Sequence, residues 1–386
     1  MEDKIIFKIL KSIKNVVGPG NHQLHEPTFS NEETKILNKT IKSKFVSSAG
    51  KYVADFENKF KRYVKSNNAI AVVNGTQAIF ISLKICGVTK NDEILVPALT
   101  FVGTVNAINY TGATPHFIDS EINSFGVDSK KLENYLNRIS FIKNGKCINR
   151  KTKKRIKAIL PVHIFGHACD IENILKIAKK FNLKVIEDAA EALGSFYKNK
   201  HLGTFGDIGC FSFNGNKIIT TGGGGMIVLK NRNIAKKIKH LTTTAKLKHK
   251  WEYDHDEVGY NFRMPNINAA LGLAQLKKIN FFLKAKRKLY QIYLKNFSNI
   301  DGVKLLKEPL KSKSNYWLHT IVLDKNKMKK KNKILKLLHK NKIFCRPVWK
   351  LISDLKPYKN CPKMNLSGSK EIYKRSINMP SSSHLA

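Results

Sequence analysis

Four separated stretches carry side chains whose types and spacing suit one ligand, a phosphorylated pyridine aldehyde. They are Asn74-Gly75-Thr76-Gln77, Phe101, Glu187-Asp188-Ala189-Ala190-Glu191 and Ser212-Phe213-Asn214-Gly215-Asn216-Lys217. Asn74-Gly75-Thr76 stands between an apolar strand pattern and a helical one. The first N–H groups of a helix and its positive end would face an anion there, and Gly75 allows close approach. Ser212 adds a hydroxyl donor for the same anion. Asp188 ends the apolar run Val185-Ile186-Glu187, and a carboxylate against a pyridine nitrogen keeps the ring protonated and able to accept electrons. Lys217 supplies an amine, which becomes nucleophilic when desolvated, and the small residues Thr220 to Gly225 after it let a ligand approach the backbone. Phe101 could cover a ring face, and His163 could reach the ligand from the end of its strand. A core aromatic and a hydrogen-bonded buried histidine are the other readings of these two. Taken singly, each stretch also reads as a plain turn, a capping acid or a solvated loop lysine. Together they provide an anion cradle, an aromatic lid, a carboxylate and an amine, the set that pyridoxal 5'-phosphate (PLP) requires, and amino transfer becomes the leading chemistry.

The elements that must position these residues alternate along the first 240 positions. Ala69–Val73, Glu93–Pro97, Ala158–Val162 and Leu183–Glu187 read as continuous apolar strands, and helical patterns at Gln77–Ile85, Phe101–Ile108 and Ile171–Ala178 separate them. Such strands predict an α/β fold whose mostly parallel sheet is covered on both faces, with the site at the carboxyl ends of the strands. Cys210–Phe213 and Gly225–Leu229 flank a glycine run as two further strands. The segment 141–157 reads as a polar hairpin turning at Asn144-Gly145. Beyond about residue 250 helical patterns dominate, notably Ala269–Leu276, and Thr320–Leu323 with Ile343–Trp349 suggests a small second sheet. The expected division is a large domain with an N-terminal arm over residues 1–250 and a smaller α+β domain over 251–386. Lys4–Val17 is a basic amphipathic stretch, read as a helix docking on its own protein or a partner rather than on a membrane.

The chain has 386 residues and a formal net charge of +42. That charge invites a nucleic-acid reading, but lysines are spread over the whole length, arginine is sparse, and no zinc-finger, homeodomain or RNA-recognition signature occurs. No specific nucleic-acid partner is expected; the field would instead speed the arrival of an anionic substrate. The six cysteines form no C-x-x-C pair, and the twelve histidines show no metal-ligand spacing. Free thiols in a cytoplasmic protein, no bound metal and no membrane span are the expectations.

The motifs Asn74-Gly-Thr-Gln-Ala78, Pro97-Ala-Leu-Thr-Phe101, Glu187-Asp-Ala-Ala-Glu191, Ser212-Phe-Asn-Gly-Asn-Lys217 and Gly259-Tyr-Asn-Phe-Arg-Met-Pro265 resemble, in order and spacing, the DegT/StrS family of PLP-dependent nucleotide-sugar aminotransferases. The resemblance runs from about residue 25 to the C-terminus. It implies a fold-type-I PLP transferase of the aspartate-aminotransferase kind, with Lys217 as the Schiff-base lysine and Asp188 on the ring nitrogen. Gly75, Thr76 and Ser212 would hold the phosphate, Phe101 would stack on the ring, and Glu191 would lie near the ring hydroxyl or substrate. Asn261 would reach the phosphate of a neighbouring subunit, making a homodimer with shared active sites. Glutamate is the implied amino donor. Two departures bear on the sugar: Gly222-Gly223-Gly224-Gly225, where many relatives carry Gly-Glu-Gly-Gly, and Asn214, where a histidine is common. Leu24-His-Glu-Pro27, the 141–157 insert, Asn214–Lys217 and Asn315-Tyr-Trp-Leu318 resemble a narrower branch acting on a UDP-linked 2-acetamido-4-keto-2,6-dideoxyhexose in bacillosamine or legionaminic-acid pathways. A GDP-perosamine synthase or a 3-keto-sugar aminotransferase is the alternative. A PLP sugar dehydratase of the same family lacks the Schiff-base lysine, so Lys217 speaks against it.

Overall fold

The apolar runs become neighbouring strands of one sheet. In the computed structural model, which describes residues 4–47 and 50–386, their order is Asn68–Val72, Gly225–Leu229, Ile208–Ser212, Lys184–Asp188, Arg155–Ile159, Asp92–Pro97 and Thr114–Ile118. From Ile208–Ser212 to Thr114–Ile118 every pairing is parallel, whereas Gly225–Leu229 is antiparallel to both neighbours. Asp92–Pro97 and Gly225–Leu229 are buried at every position, the mark of strands covered on both faces. The sheet matches the expected α/β class, with one strand more. Thr114–Ile118 gives no continuous apolar run in the sequence because Pro115 interrupts it; the proline is tolerated because this strand lies at the sheet's edge.

The 141–157 segment folds as expected. Ser140–Lys143 and Lys146–Asn149 pair antiparallel around Asn144 and Gly145, both at positive φ, and the second strand joins Arg155–Ile159.

A second core surrounds an antiparallel sheet of Val303–Leu305, His319–Leu323, Ser376–Met379 and Arg346–Pro347. The helices Ile279–Phe297 and Lys331–Lys340 pack on it, and so does the helix Lys4–Val17, through Ile6, Ile9, Ile13 and Val17. That helix therefore docks on its own chain, its apolar stripe inward and its lysines outward. The arm belongs to the C-terminal core and not to the large domain.

The expected boundary at 250/251 also shifts. Helix Asn266–Lys277 packs on Asn31–Lys42 and Lys51–Val64, where Ala269 and Leu273 share a core with Phe56 and Phe60. Helix Ile279–Phe297 joins the two cores, with Ile279 and Phe282 in the Phe56 core and Leu289, Tyr293 and Phe297 in the second. Among the described residues no helix is long and apolar enough to cross a membrane.

Candidate active site

The carboxyl ends of the four parallel strands from Ile208–Ser212 to Asp92–Pro97, together with that of the edge strand Asn68–Val72, bring most of the singled-out residues to one cavity of about 560 Å³, a size typical of small-molecule sites. Its walls include Asn74, Gly75, Thr76, Phe101, Asp188, Glu191, Ser212 and Lys217, with Trp317 and Trp349 from the C-terminal part of the chain, packed in the same core as Phe56 and Phe60.

The anion end is the first turn of helix Gly75–Ile85. Asn74, in extended conformation, caps it by accepting the Gln77 N–H at 2.8 Å. The N–H groups of Gly75 and Thr76, lying in the first turn, have no intrahelical acceptor. Any side chain on Gly75 would meet Ser212 Cβ at 2.9 Å, so only glycine lets Ser212 stand beside the helix start. Gly103 plays a similar part, since a Cβ there would meet Thr76 Oγ1 at 2.7 Å.

Phe101 precedes helix Val102–Tyr110 and is 55% exposed on the cavity wall, which sets aside its reading as a core aromatic. Three residues later, Thr104 donates its hydroxyl to Asp188 Oδ2 at 2.7 Å, and Ala190 N–H donates to Asp188 Oδ1 at 3.1 Å. Asp188 is only 4% exposed, and burial pushes its carboxyl above the usual aspartate range, against those hydrogen bonds. Among the described residues no cation lies within ion-pair distance of it. A buried carboxylate so placed suits a protonated ring nitrogen.

Lys217 follows a turn closed by its own N–H to the Asn214 carbonyl, at 3.0 Å. Its amine lies 3.9 Å from the Trp317 ring centroid and donates to Glu191 Oε1 at 3.4 Å. Glu191 is buried, which raises its pKa to about 7 despite Lys217 and the Phe165 N–H at 2.8 Å. Phe165 itself sits at φ 54°, in the left-handed region, where Glu191 holds its amide.

The residues thus fit PLP: a helix start for phosphate, a ring to stack on, a buried carboxylate and an amine near a second carboxyl group that titrates near neutrality.

Two expected binders are elsewhere. His163 is fully buried off the cavity wall, its ring 3.0 Å from Glu187 and accepting the Cys169 N–H at 3.4 Å. Burial lowers its pKa, while Cys169 and the Glu187 carboxylate raise it above the usual histidine range; with Nδ1 accepting the Cys169 N–H, Nε2 is the nitrogen that donates to Glu187. Glu187 also accepts N–H groups from Gly203, Phe205 and Gly206. Side chains alternate along a strand, so Glu187 and Asp188 face opposite ways and His163 follows Glu187. Asn261 is exposed, forms a backbone bridge with Thr243, and does not line its own chain's cavity.

Sequence reading missed Thr104, Trp349, Arg346 and Lys350 and took Trp317 only as a family marker. Thr104 had a usable signal, its position three residues after Phe101 on a helix; the others reach the cavity only through tertiary packing.

Comparison with known proteins agrees with the geometry. The model of the DegT/DnrJ/EryC1/StrS aminotransferase family matches residues 27–386. The chain is 40% identical over 299 residues to GDP-perosamine synthase of Escherichia coli O157:H7, covering 78% of this chain and 77% of that one. It is 34% identical over 288 residues to the UDP-4-amino-4,6-dideoxy-N-acetyl-beta-L-altrosamine transaminase of Campylobacter jejuni, covering 74% and 72%. Helicobacter pylori PseC, an aminotransferase of pseudaminic acid biosynthesis, superposes with a TM-score of 0.85 at 28% identity over 95% of each chain, and the fold is that of the type I PLP enzymes.

Proposed function

Because the chain belongs to the DegT/DnrJ/EryC1/StrS aminotransferase family and is a PLP-dependent sugar aminotransferase, we propose that it moves an amino group from glutamate to C4 of a nucleotide-linked 4-keto-6-deoxyhexose. A 4-amino sugar for a surface glycan would be the product. The observation that carries this is the convergence of the helix start at Gly75, the buried Asp188 and the Lys217–Glu191 pair on one cavity.

When bound, PLP supplies an electron sink that allows a proton to leave the donor's α-carbon and later be returned at the acceptor. Thr76 and Ser212 would hold its phosphate, Phe101 would cover its ring, and Asp188, fixed by Thr104, would hold its ring nitrogen. Lys217 moves the proton as general base and acid. Glu191, with its raised pKa, accepts a hydrogen bond from the Lys217 amine and keeps it aimed into the cavity. Trp317 closes the opposite side and shields the amine from water. Asn261 completes the partner subunit's phosphate site, so a homodimer is the working unit.

The sequence reading put a UDP-linked sugar first and a GDP-linked one second. Similarity to GDP-perosamine synthase supports the GDP sugar, which now stands first, while the likeness to the Campylobacter transaminase supports the UDP reading. Incubation with glutamate and a panel of GDP-, UDP- and dTDP-linked keto sugars, read by mass spectrometry, decides between them. Absence of any aminated sugar, with PLP bound and glutamate unconsumed, would overturn the proposal.

A further inference from the structure

Lys286 lies in the helix Ile279–Phe297, outside the cavity, and is among the most completely buried side chains, at 1% exposure. Among the described residues no carboxylate pairs with it. Its amine donates instead to two backbone carbonyls, that of Trp317 at 2.7 Å and that of Ser381. Both acceptors sit at junctions of the cavity wall. Trp317 places its ring over the Lys217 amine, and its own Nε1–H donates to the Asn216 carbonyl at 2.6 Å, tying it to the lysine-bearing turn. Ser381 N–H donates to the Leu24 carbonyl at 2.8 Å, its hydroxyl accepts the His319 N–H at 2.9 Å, and Leu24 also lines the cavity.

We propose that Lys286 is a positioning residue for amino transfer, clasping the Trp317 and Ser381 carbonyls so that the indole stays over Lys217. This rests on Lys217 being the catalytic amine. The chemistry of the clasp explains why a lysine occupies so apolar a place. A neutral amine has two N–H donors, and two carbonyls are present to receive them. Desolvation lowers the pKa of Lys286 well below the usual lysine range, which favours that form. The surrounding groups agree: burial lowers the pKa of His25 and His319 well below the usual histidine range, and His25 Nδ1 and both His319 ring nitrogens find no partner in the protein. A methionine here would fill the space and leave the two carbonyls without their shared donor.

The test pairs two readouts. In cofactor-free protein, acrylamide quenching of Trp317 fluorescence, isolated by difference from Trp317→Phe, should rise severalfold in Lys286→Met. This measurement needs no reaction, so it stands even if the sugar or donor assignment fails. In the holoenzyme, Lys286→Met should lower kcat about tenfold with little change in the sugar's KM. The double variant Lys286→Met/Trp317→Phe should match Trp317→Phe alone, because the lysine acts through the indole. Unchanged quenching, or kcat losses that multiply in the double variant, would overturn the proposal. Should Lys286→Met fail to fold, Lys286→Gln, which keeps an amide donor on a shorter stem, carries the same two measurements with smaller effects, and its failure to move either one counts against the clasp.

Discussion

Replacing Asp188 by asparagine tests the electrostatic centre of the site with the least change of shape. Its two oxygens have separate donors, Thr104 at 2.7 Å and Ala190 at 3.1 Å, in a place that excludes water. A carboxylate about 3 Å from a protonated ring nitrogen is worth ~5 kcal/mol at an effective dielectric of ~20. Asparagine restores a neutral hydrogen bond of about 1 kcal/mol. A net loss of at least ~3 kcal/mol of transition-state stabilisation remains, and turnover should fall by about 10²-fold or more. One amide group also cannot accept from both donors and face the ring as an acceptor, so part of the loss should appear as weaker PLP retention. The assay is a single-turnover reaction with glutamate, followed by cofactor absorbance, after PLP occupancy has been measured. Near-normal turnover with PLP fully bound would refute the role of Asp188.

Lys217→Ala should keep PLP only noncovalently and lose transamination, and borohydride reduction of the wild type followed by peptide mapping should tag Lys217; a tag on another lysine would reassign the amine. Mixing Lys217→Ala chains with Asn261→Asp chains should give hybrid dimers with up to half of wild-type activity, since one site carries both lesions and the other neither. No recovery, with hybrids confirmed by native mass spectrometry, would place Asn261 outside the partner's site. Glu191 has a folded-state pKa raised to about 7 from 4.5, so its stability contribution is complete below about 4.5 and is lost as pH rises through about 7. In cofactor-free protein the melting temperature of Glu191→Gln should therefore gain on wild type across that window, and a flat difference would show that Glu191 is not shifted.

The local motifs were readable because they depend on neighbours in sequence. A glycine after an apolar strand, an asparagine before a helix and a lysine after a turn are dictated by backbone conformation and capping, and Asn74, Gly75, Asp188, Ser212 and Lys217 all line the cavity as their motifs implied. Strand and helix alternation likewise announced a mostly parallel sheet, because residues buried on both faces leave a continuous apolar run. What depended on distant neighbours was not readable. His163 had equal claims to a cofactor and to a core partner until the pleat of Lys184–Asp188 sent Glu187 to the far face and the histidine with it. Helix Asn266–Lys277 shows no single apolar stripe, and only packing against Phe56 and Phe60 decided which core it serves. The amphipathic stripe of Lys4–Val17 announced burial without naming the surface that buries it. Trp317 carried no local sign that its ring lies over Lys217, because a chain returning across a hundred residues brings it there, held by the Lys286 amine on its carbonyl, its own N–H on Asn315 Oδ1 and its indole N–H on the Asn216 carbonyl. Pattern in sequence reports the backbone each residue adopts and whether it is buried; which atoms meet in the site is set by the folding of remote segments onto one another.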